Sequence, residues 1–233
     1  MKYTSHNLFI DGDNMCNGFF LARVMIPEKV KYKLRVAKDG TTLTYDLNNG
    51  GVQEQFPLQL GEGEYVISLF KNVKKNNYVN EGLIKIYPVF DSEYEPYLNS
   101  NQYVNFEGNT SLVHKAFELL GKSTDETISN VMTYICKNIV YDYVRAVLSK
   151  QGQLPDIARC YDKKMGICQD IAALTVALLR IDSVPARLVI GYCGDQYHAW
   201  TEIIKNDKWT LFDPTAIIKK EKVRKKYTTE RWY

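Results

Sequence analysis

The stretch that begins at Gly166 most constrains the fold, because a cysteine there opens a helical pattern with almost no polar face. Apolar side chains lie on nearly every side of the predicted helix: Ile171, Ala172, Leu174, Val176, Ala177 and Leu178. A helix that is apolar all round belongs in the interior of a domain. Pro185 follows soon after, and proline does not continue a helix. The sequence therefore predicts a central, buried helix over about 168–180 whose first turn carries Cys168, with Gln169 and Asp170 as its caps.

Cys168, His198 and Asp213 follow one another within 46 positions, each at the edge of a predicted helix or strand. The partial positive charge of a helix N-terminus favours a thiolate, so we expect the Cys168 thiol to ionise readily. A nearby histidine accepts a thiol proton, and an aspartate fixes the imidazole tautomer. Singly, these residues are typical of a buried thiol, a structural histidine and an Asp-Pro turn. In this order they indicate a thiol acyl-transfer enzyme.

Four blocks of sequence around these residues resemble the core of the transglutaminase-like superfamily. They are residues 166–174 (GICQDIAAL), 184–192 (VPARLVIGY), 198–200 (HAW) and 209–215 (WTLFDPT), in that order and with short spacers. Residues 135–141 resemble, more loosely, the helix end before the nucleophile in bacterial members. The family includes transglutaminases, peptide N-glycanases and bacterial proteins described as cysteine proteases. The resemblance implies an α+β, papain-like domain with helices packed on an antiparallel sheet.

The chemistry that this arrangement implies is attack by the Cys168 thiolate on a carboxamide or peptide carbonyl, with His198 protonating the departing amine. The oxyanion needs preorganised donors, for which the backbone N–H of Cys168 and the side chain of Tyr141 or Gln153 are candidates. For Trp200 two roles are open. It either shields the imidazole of His198 and contacts the substrate, or it packs in the core. We favour a cysteine protease or amide hydrolase with a Cys-His-Asp triad. The alternatives are a cross-linking transglutaminase and a non-catalytic binding module on the same fold.

Residues 1–90 show the period-two alternation of strands, for example over 30–36, with glycine- and asparagine-rich turns between segments. Several short strands at this spacing predict a small antiparallel β-sandwich, an accessory domain. We expect a linker over 91–105, which contains Pro96, and the catalytic domain over 106–233. Within that domain, apolar stripes predict two helices behind the Cys168 helix, the first of them ending at a Gly121 cap.

The net charge of +3 is concentrated in one run. Residues 219–226 hold six basic side chains and one glutamate, so they carry +5 and the remainder carries −2. Because no interleaved aromatic residues or nucleic-acid motif accompany the run, we interpret it as a solvated face and expect no nucleic-acid partner.

Five scattered cysteines, without a Cys-x-x-Cys pair, indicate reduced thiols and no metal site. Residues 11–14 (DGDN) begin like a calcium loop but lack its later ligands, so we expect a turn. No apolar window approaches about 18 residues, and the first residues lack a signal peptide's apolar stretch. We expect a cytoplasmic protein without a membrane span, metal or cofactor, acting on a protein or peptide. A trimmed secreted form is the alternative, and the sequence indicates neither the substrate nor the oligomeric state.

Overall fold

The alternating segments near the start of the chain pair into two antiparallel sheets. In chain order the strands are β1 (Lys2–Ser5), β2 (Leu8–Asp11), β3 (Phe19–Val24), β4 (Tyr32–Lys38), β5 (Thr41–Leu47), β6 (Glu54–Pro57), β7 (Tyr65–Lys74) and β8 (Asn77–Ile86). One sheet has the order β1-β2-β3-β6 and the other β5-β4-β7-β8. The rings of Tyr45 and Phe56, one from each sheet, meet edge to face with centroids 5.3 Å apart. The predicted antiparallel β-sandwich is confirmed.

The structure is a computed structural model that describes residues 1–150, 152–221 and 226–233. The chain divides into two units, Met1–Asn99 and Ser100–Tyr233. This division lies inside the expected linker, 91–105, but part of that segment is packed within the first unit. Glu95–Tyr97 form a 3₁₀ helix, and the buried Tyr97 donates its hydroxyl to the carbonyl oxygen of Gln59 at 3.0 Å. The division into an accessory domain over 1–90, a linker over 91–105 and a catalytic domain over 106–233 stays a prediction.

The second unit contains helices and one larger sheet. The helices are α1 (Thr110–Leu119), α2 (Thr124–Asn138), α3 (Tyr143–Leu148), α4 (Ile157–Lys163), α5 (Cys168–Ile181) and α6 (Pro214–Ile218). The strands are β9 (Val140–Tyr141), β10 (Met165–Gly166), β11 (Ala186–Cys193), β12 (Gln196–Lys205), β13 (Lys208–Phe212) and β14 (Tyr227–Trp232). The larger sheet is antiparallel with the order β13-β12-β11-β14, and β9 and β10 form a short parallel pair.

Helix α5 is the centre of the second unit, and all of its residues from Asp170 to Arg180 are buried. It contacts β11 and β12 of the sheet and the helices α1, α2 and α4. The predicted buried helix, the platform behind it and the α+β class are confirmed. Within the described ranges, no helix combines the length and apolar character that a membrane crossing needs.

The prediction that helix α1 ends at a Gly121 cap is wrong, because the cap residue is Leu120. Helix α1 ends at Leu119, and the next residue, Leu120, has φ −58° and ψ 123°. The backbone N–H of Gly121 donates to Thr127 Oγ1 at 2.9 Å, and a Cβ on Gly121 would lie 2.6 Å from the Glu126 side chain. A close approach to the first turn of α2 therefore explains this glycine, not a positive φ.

Candidate active site

The turn that carries Cys168 is held by the carboxylate of Asp170. The backbone N–H of Ile167 donates to Asp170 Oδ2 at 3.1 Å, and that of Asp156 donates to Oδ1 at 2.9 Å. The guanidinium of Arg145 lies 3.3 Å from the same carboxylate. Asp170 is fully buried, and burial raises its pKa although the two N–H donors and Arg145 act in the opposite direction. The predicted capping role of Asp170 is confirmed.

Gln169 does not cap the helix, so this part of the prediction is wrong. Its side-chain Nε2 donates to the backbone carbonyl oxygen of Gln153 at 3.0 Å. The contact ties the first turn of α5 to the loop before α4. Through this hydrogen bond, the backbone of Gln153 lies near the turn that carries Cys168.

His198 comes from β12, opposite Gly191 on β11. Its Nε2 lies 2.7 Å from Oδ2 of Asp213, and the Cys168 side chain is a further hydrogen-bond partner. Because Nε2 faces Asp213, Nδ1 is the ring nitrogen left for the thiol. Burial acts to lower the pKa of His198, but the hydrogen bonds with Asp213 and Cys168 outweigh it and raise the pKa to about 10. The imidazole therefore keeps its proton at neutral pH.

Asp213 directly follows strand β13 and caps the short helix α6. Its Oδ1 accepts from the backbone N–H of Ala216 at 3.0 Å, and its Oδ2 accepts from both His198 and the hydroxyl of Tyr227, each at 2.7 Å. Burial acts to raise the pKa of Asp213, but these hydrogen bonds lower the pKa overall. The hydrogen bond with His198 has the largest lowering effect. Both oxygens are therefore engaged, and the carboxylate has a fixed orientation.

Two cavities meet at Cys168. The histidine-side cavity has a volume of about 550 Å³, and residues that line it include His198, Asp213, Cys193, Lys219, Glu221 and Tyr227. The tyrosine-side cavity has a volume of about 500 Å³, and residues that line it include Tyr103, Gln153, Ile190, Tyr192, Glu230 and Arg231. Cys168, Tyr141 and Tyr197 line both cavities. The thiol thus lies at the junction of two spaces.

The three other predicted site residues have different positions. Tyr141 pairs with Gly166 in the β9–β10 ladder, and burial, followed by the nearby Cys168, raises the pKa of its phenol to about 12. Gln153 lines the tyrosine-side cavity. Trp200 is 1% exposed, lies 6.4 Å from His198 between ring centroids, and donates Nε1 to Glu202 at 3.3 Å. Trp200 therefore packs beneath the imidazole rather than facing a substrate space.

Tyr227 is the site residue that sequence reasoning missed, together with the strand β14 that carries it. The content of strand-favouring Tyr, Thr and Trp residues in 227–232 (YTTERW) is the signal that was available. The neighbouring basic run is only partly described: Lys222, Arg224 and Lys225 lie outside the described residues. Lys219 is not on a solvated face, because its Nζ lies 4.9 Å from the ring centroid of Tyr141 and 2.5 Å from a carboxylate oxygen of Glu221.

In the ranges that the structure covers, no group of three or more His, Cys, Asp or Glu side chains is placed to hold a metal ion.

Part of the second unit matches the model of a known protein family. Residues 113–214 match the family model described as the Transglutaminase-like superfamily, and this range includes Cys168, His198 and Asp213. The protein YebA of Bacillus subtilis (strain 168) is 28% identical over 111 residues, a match that covers 37% of this chain and 13% of YebA. The resemblance predicted from the four sequence blocks is confirmed.

Two solved structures are also similar to the chain. A Cytophaga hutchinsonii protein described as a candidate cysteine protease is 14% identical, with a TM-score of 0.48, over 100% of this chain and 83% of its own. The periplasmic domain of TgpA from Pseudomonas aeruginosa is 15% identical, with a TM-score of 0.44, over 94% of this chain and 95% of its own.

Proposed function

We propose that residues 113–214, which form a core of the transglutaminase-like superfamily, act as a thiol hydrolase on amide bonds of a protein or peptide. The observation that carries the proposal is one chain of contacts. The Cys168 thiol contacts the imidazole of His198, and Asp213 holds the other side of that imidazole at 2.7 Å. A nucleophile, a proton carrier and an orienting carboxylate in this sequence of contacts are the parts that covalent acyl transfer needs.

The reaction starts with the proton on the imidazole and the charge on the sulfur. The thiolate of Cys168 attacks the carbonyl carbon, and the tetrahedral intermediate collapses as the C–N bond breaks. His198 gives its proton to the departing amine and a thioester remains. Water then attacks the thioester, His198 takes up its proton, and the C–S bond breaks. The products are an amine and a carboxylic acid, and the thiolate is regenerated.

Two donors near Cys168 suit the developing oxyanion. The backbone N–H of Cys168 belongs to the first turn of α5, where no helical carbonyl accepts it. The phenol of Tyr141 lines both cavities, and its raised pKa of about 12 keeps it protonated, hence a donor, at neutral pH. Gln153 lines the tyrosine-side cavity alone. We therefore assign the second donor to Tyr141 in preference to Gln153.

The two cavities support a substrate that extends on both sides of the scissile bond. His198 lines the histidine-side cavity, so the amine that it protonates leaves there, and the acyl part lies in the tyrosine-side cavity. Ammonia, which is about the size of water at ~30 Å³ per molecule, would fill little of the histidine-side space. The amine segment of a peptide fills it better, which favours a peptide bond over a glutamine carboxamide. An acceptor lysine would use the same space, so cross-linking is the competing outcome.

The proposal is tested by incubating the protein with a glutamine-rich protein and a dansyl-type amine in water enriched in ¹⁸O. Hydrolysis predicts fragments whose new carboxyl ends carry ¹⁸O, and no fluorescent substrate. Dansyl incorporation without fragments would assign the chain to the transglutaminases instead. Cys168→Ala is the matched control: fragments that still form with this variant would contradict the proposal, because they would not depend on the thiol.

A further inference from the structure

Tyr227 makes contacts that the Cys-His-Asp set does not account for. Its hydroxyl donates to Asp213 Oδ2 at 2.7 Å, the same oxygen that faces His198 Nε2. Its ring lies 5.0 Å from that of Trp200 and 6.5 Å from that of His198, between centroids. Tyr227 also lines the histidine-side cavity. One side chain from the edge strand β14 therefore contacts both the orienting carboxylate and the packing around the imidazole.

The donor role of the hydroxyl follows from its partners. A phenol has one proton, and an ionised carboxylate only accepts, so Tyr227 donates to Asp213. The Cys193 thiol is a further hydrogen-bond partner of the hydroxyl. Burial and these contacts raise the pKa of Tyr227, so the hydroxyl stays protonated at neutral pH.

The sheet is built so that β14 reaches this position. Tyr227 pairs with Cys193 of β11, and the register shifts by one residue between Ile190 and Gly191. A Cβ on Gly191 would lie 2.1 Å from the carbonyl oxygen of Thr228, so the close approach of β14 requires glycine there. The register shift and Gly191 together allow the start of β14 to lie beside the part of the sheet that holds His198.

We propose that Tyr227 is a positioning residue for acyl transfer, acting through Asp213 to hold His198 toward Cys168. The inference rests on the proposed function of Cys168, His198 and Asp213. A carboxylate oxygen shared by two donors cannot swing away from the ring without losing both hydrogen bonds. Without the Tyr227 hydroxyl, the hydrogen bond with His198 is the one side-chain contact described here that holds Asp213 Oδ2. Asp213 also loses a donor that favours its ionised form.

The test is Tyr227→Phe, which keeps the ring contacts and removes the hydroxyl. The rate of Cys168 alkylation by iodoacetamide is measured from acid to alkaline pH, with native circular dichroism as the check on folding. We expect the plateau rate to fall about tenfold, the scale of one charge-assisted hydrogen bond. We also expect the acid limb to move to higher pH, since Tyr227 is one of the donors that lower the pKa of Asp213. The titratable and charged groups that line the histidine-side cavity with Tyr227 are Tyr141, Cys168, Cys193, Tyr197, His198, Asp213, Lys219 and Glu221.

A double-mutant cycle separates positioning from simple packing. If Tyr227 acts through Asp213, Tyr227→Phe has no further effect on the rate in an Asp213→Asn background. Tyr161→Phe is the matched control, because it removes a phenol hydroxyl from α4 at a residue that is not among those lining the two cavities.

The outcomes distinguish this inference from the function on which it rests. A wild-type rate and pH profile in Tyr227→Phe, or a full additive loss in the Asp213→Asn background, would overturn the role of Tyr227 alone. Slow alkylation of Cys168 in the unaltered protein would overturn the proposed function instead. Should Tyr227→Phe not fold, 3-fluorotyrosine is placed at position 227 instead. Its hydroxyl is more acidic and donates a stronger hydrogen bond to Asp213. The acid limb of the pH–rate profile for Cys168 alkylation should then move to lower pH. An unmoved limb would contradict the inference.

Discussion

Replacing His198 with alanine should slow the alkylation of Cys168 at pH 7 by about 30-fold. The imidazole, whose pKa is raised to about 10, holds its proton beside the sulfur and stabilises the thiolate. Without this partner the thiol behaves like an isolated cysteine, which is only a few per cent thiolate at pH 7. The rate is followed by intact mass spectrometry under pseudo-first-order iodoacetamide.

His114→Ala is the control for this experiment, because it makes the same change at an exposed position on α1. Its alkylation rate should equal that of the unaltered protein. Asp213→Asn should give a smaller loss than His198→Ala, through the orientation of the ring. An unchanged rate in His198→Ala, with native circular dichroism, would mean that the imidazole does not activate Cys168.

Replacing Asp170 with alanine should lower the free energy of unfolding of the second unit by about 3–5 kcal/mol. The change leaves the backbone N–H groups of Ile167 and Asp156 without their acceptor and leaves Arg145 without this carboxylate. Removing one partner of a buried charged contact is costly because the other partner stays buried. The turn that positions Cys168 should loosen as well, so alkylation should slow before the unit unfolds.

Tryptophan fluorescence in a urea titration measures this stability without interference from the first unit. All three tryptophans, Trp200, Trp209 and Trp232, belong to the second unit. Asp162→Ala, at an exposed position on α4, is the matched control and should change the stability by less than about 0.5 kcal/mol. A midpoint for Asp170→Ala equal to that of the control would show that the buried carboxylate contributes nothing to the fold.

Sequence patterns predicted those parts of the fold whose signals are local. The predicted start of the central helix at Cys168 agrees with α5, since an all-round apolar pattern directly follows the cysteine. The strands β11, β12 and β13 around His198 also have local signals, because turn residues separate their apolar runs. Asp213 follows β13 directly, so its position at the end of a strand was predictable.

The parts that were missed depend on contacts between distant residues. Strand β14 pairs with β11 across a gap of more than 30 residues, and nothing in 227–232 indicates that partner. The contact between Tyr227 and Asp213 follows from this pairing, so it could not be predicted from spacing. Gly121 is similar: its side-chain space is taken by Glu126, a packing effect that a cap motif does not describe.

The charged surroundings of the nucleophile turn also arise in three dimensions. Asp170 was predictable as a cap from its place in the first turn of the helix. Its contacts with Arg145 and with the backbone of Asp156 join separate segments of the chain, and no motif records them. Lys219 was assigned to a solvated basic run, whereas the fold turns its ammonium toward Tyr141 at the edge of a cavity.

Selective alkylation of the five cysteines is the sharpest test of Cys168 as the nucleophile. The protein is treated briefly with iodoacetamide at pH 6.5 to 7.5, digested, and the labelled fraction of each cysteine is measured by mass spectrometry. Cys160 should label most slowly, since burial raises its pKa to about 12, and the exposed Cys16 serves as the reference thiol. We expect Cys168 to label well ahead of the other four cysteines and its lead over Cys16 to widen as the pH falls. Labelling of Cys16 or Cys193 at a rate equal to or above that of Cys168 would contradict the assignment of the nucleophile.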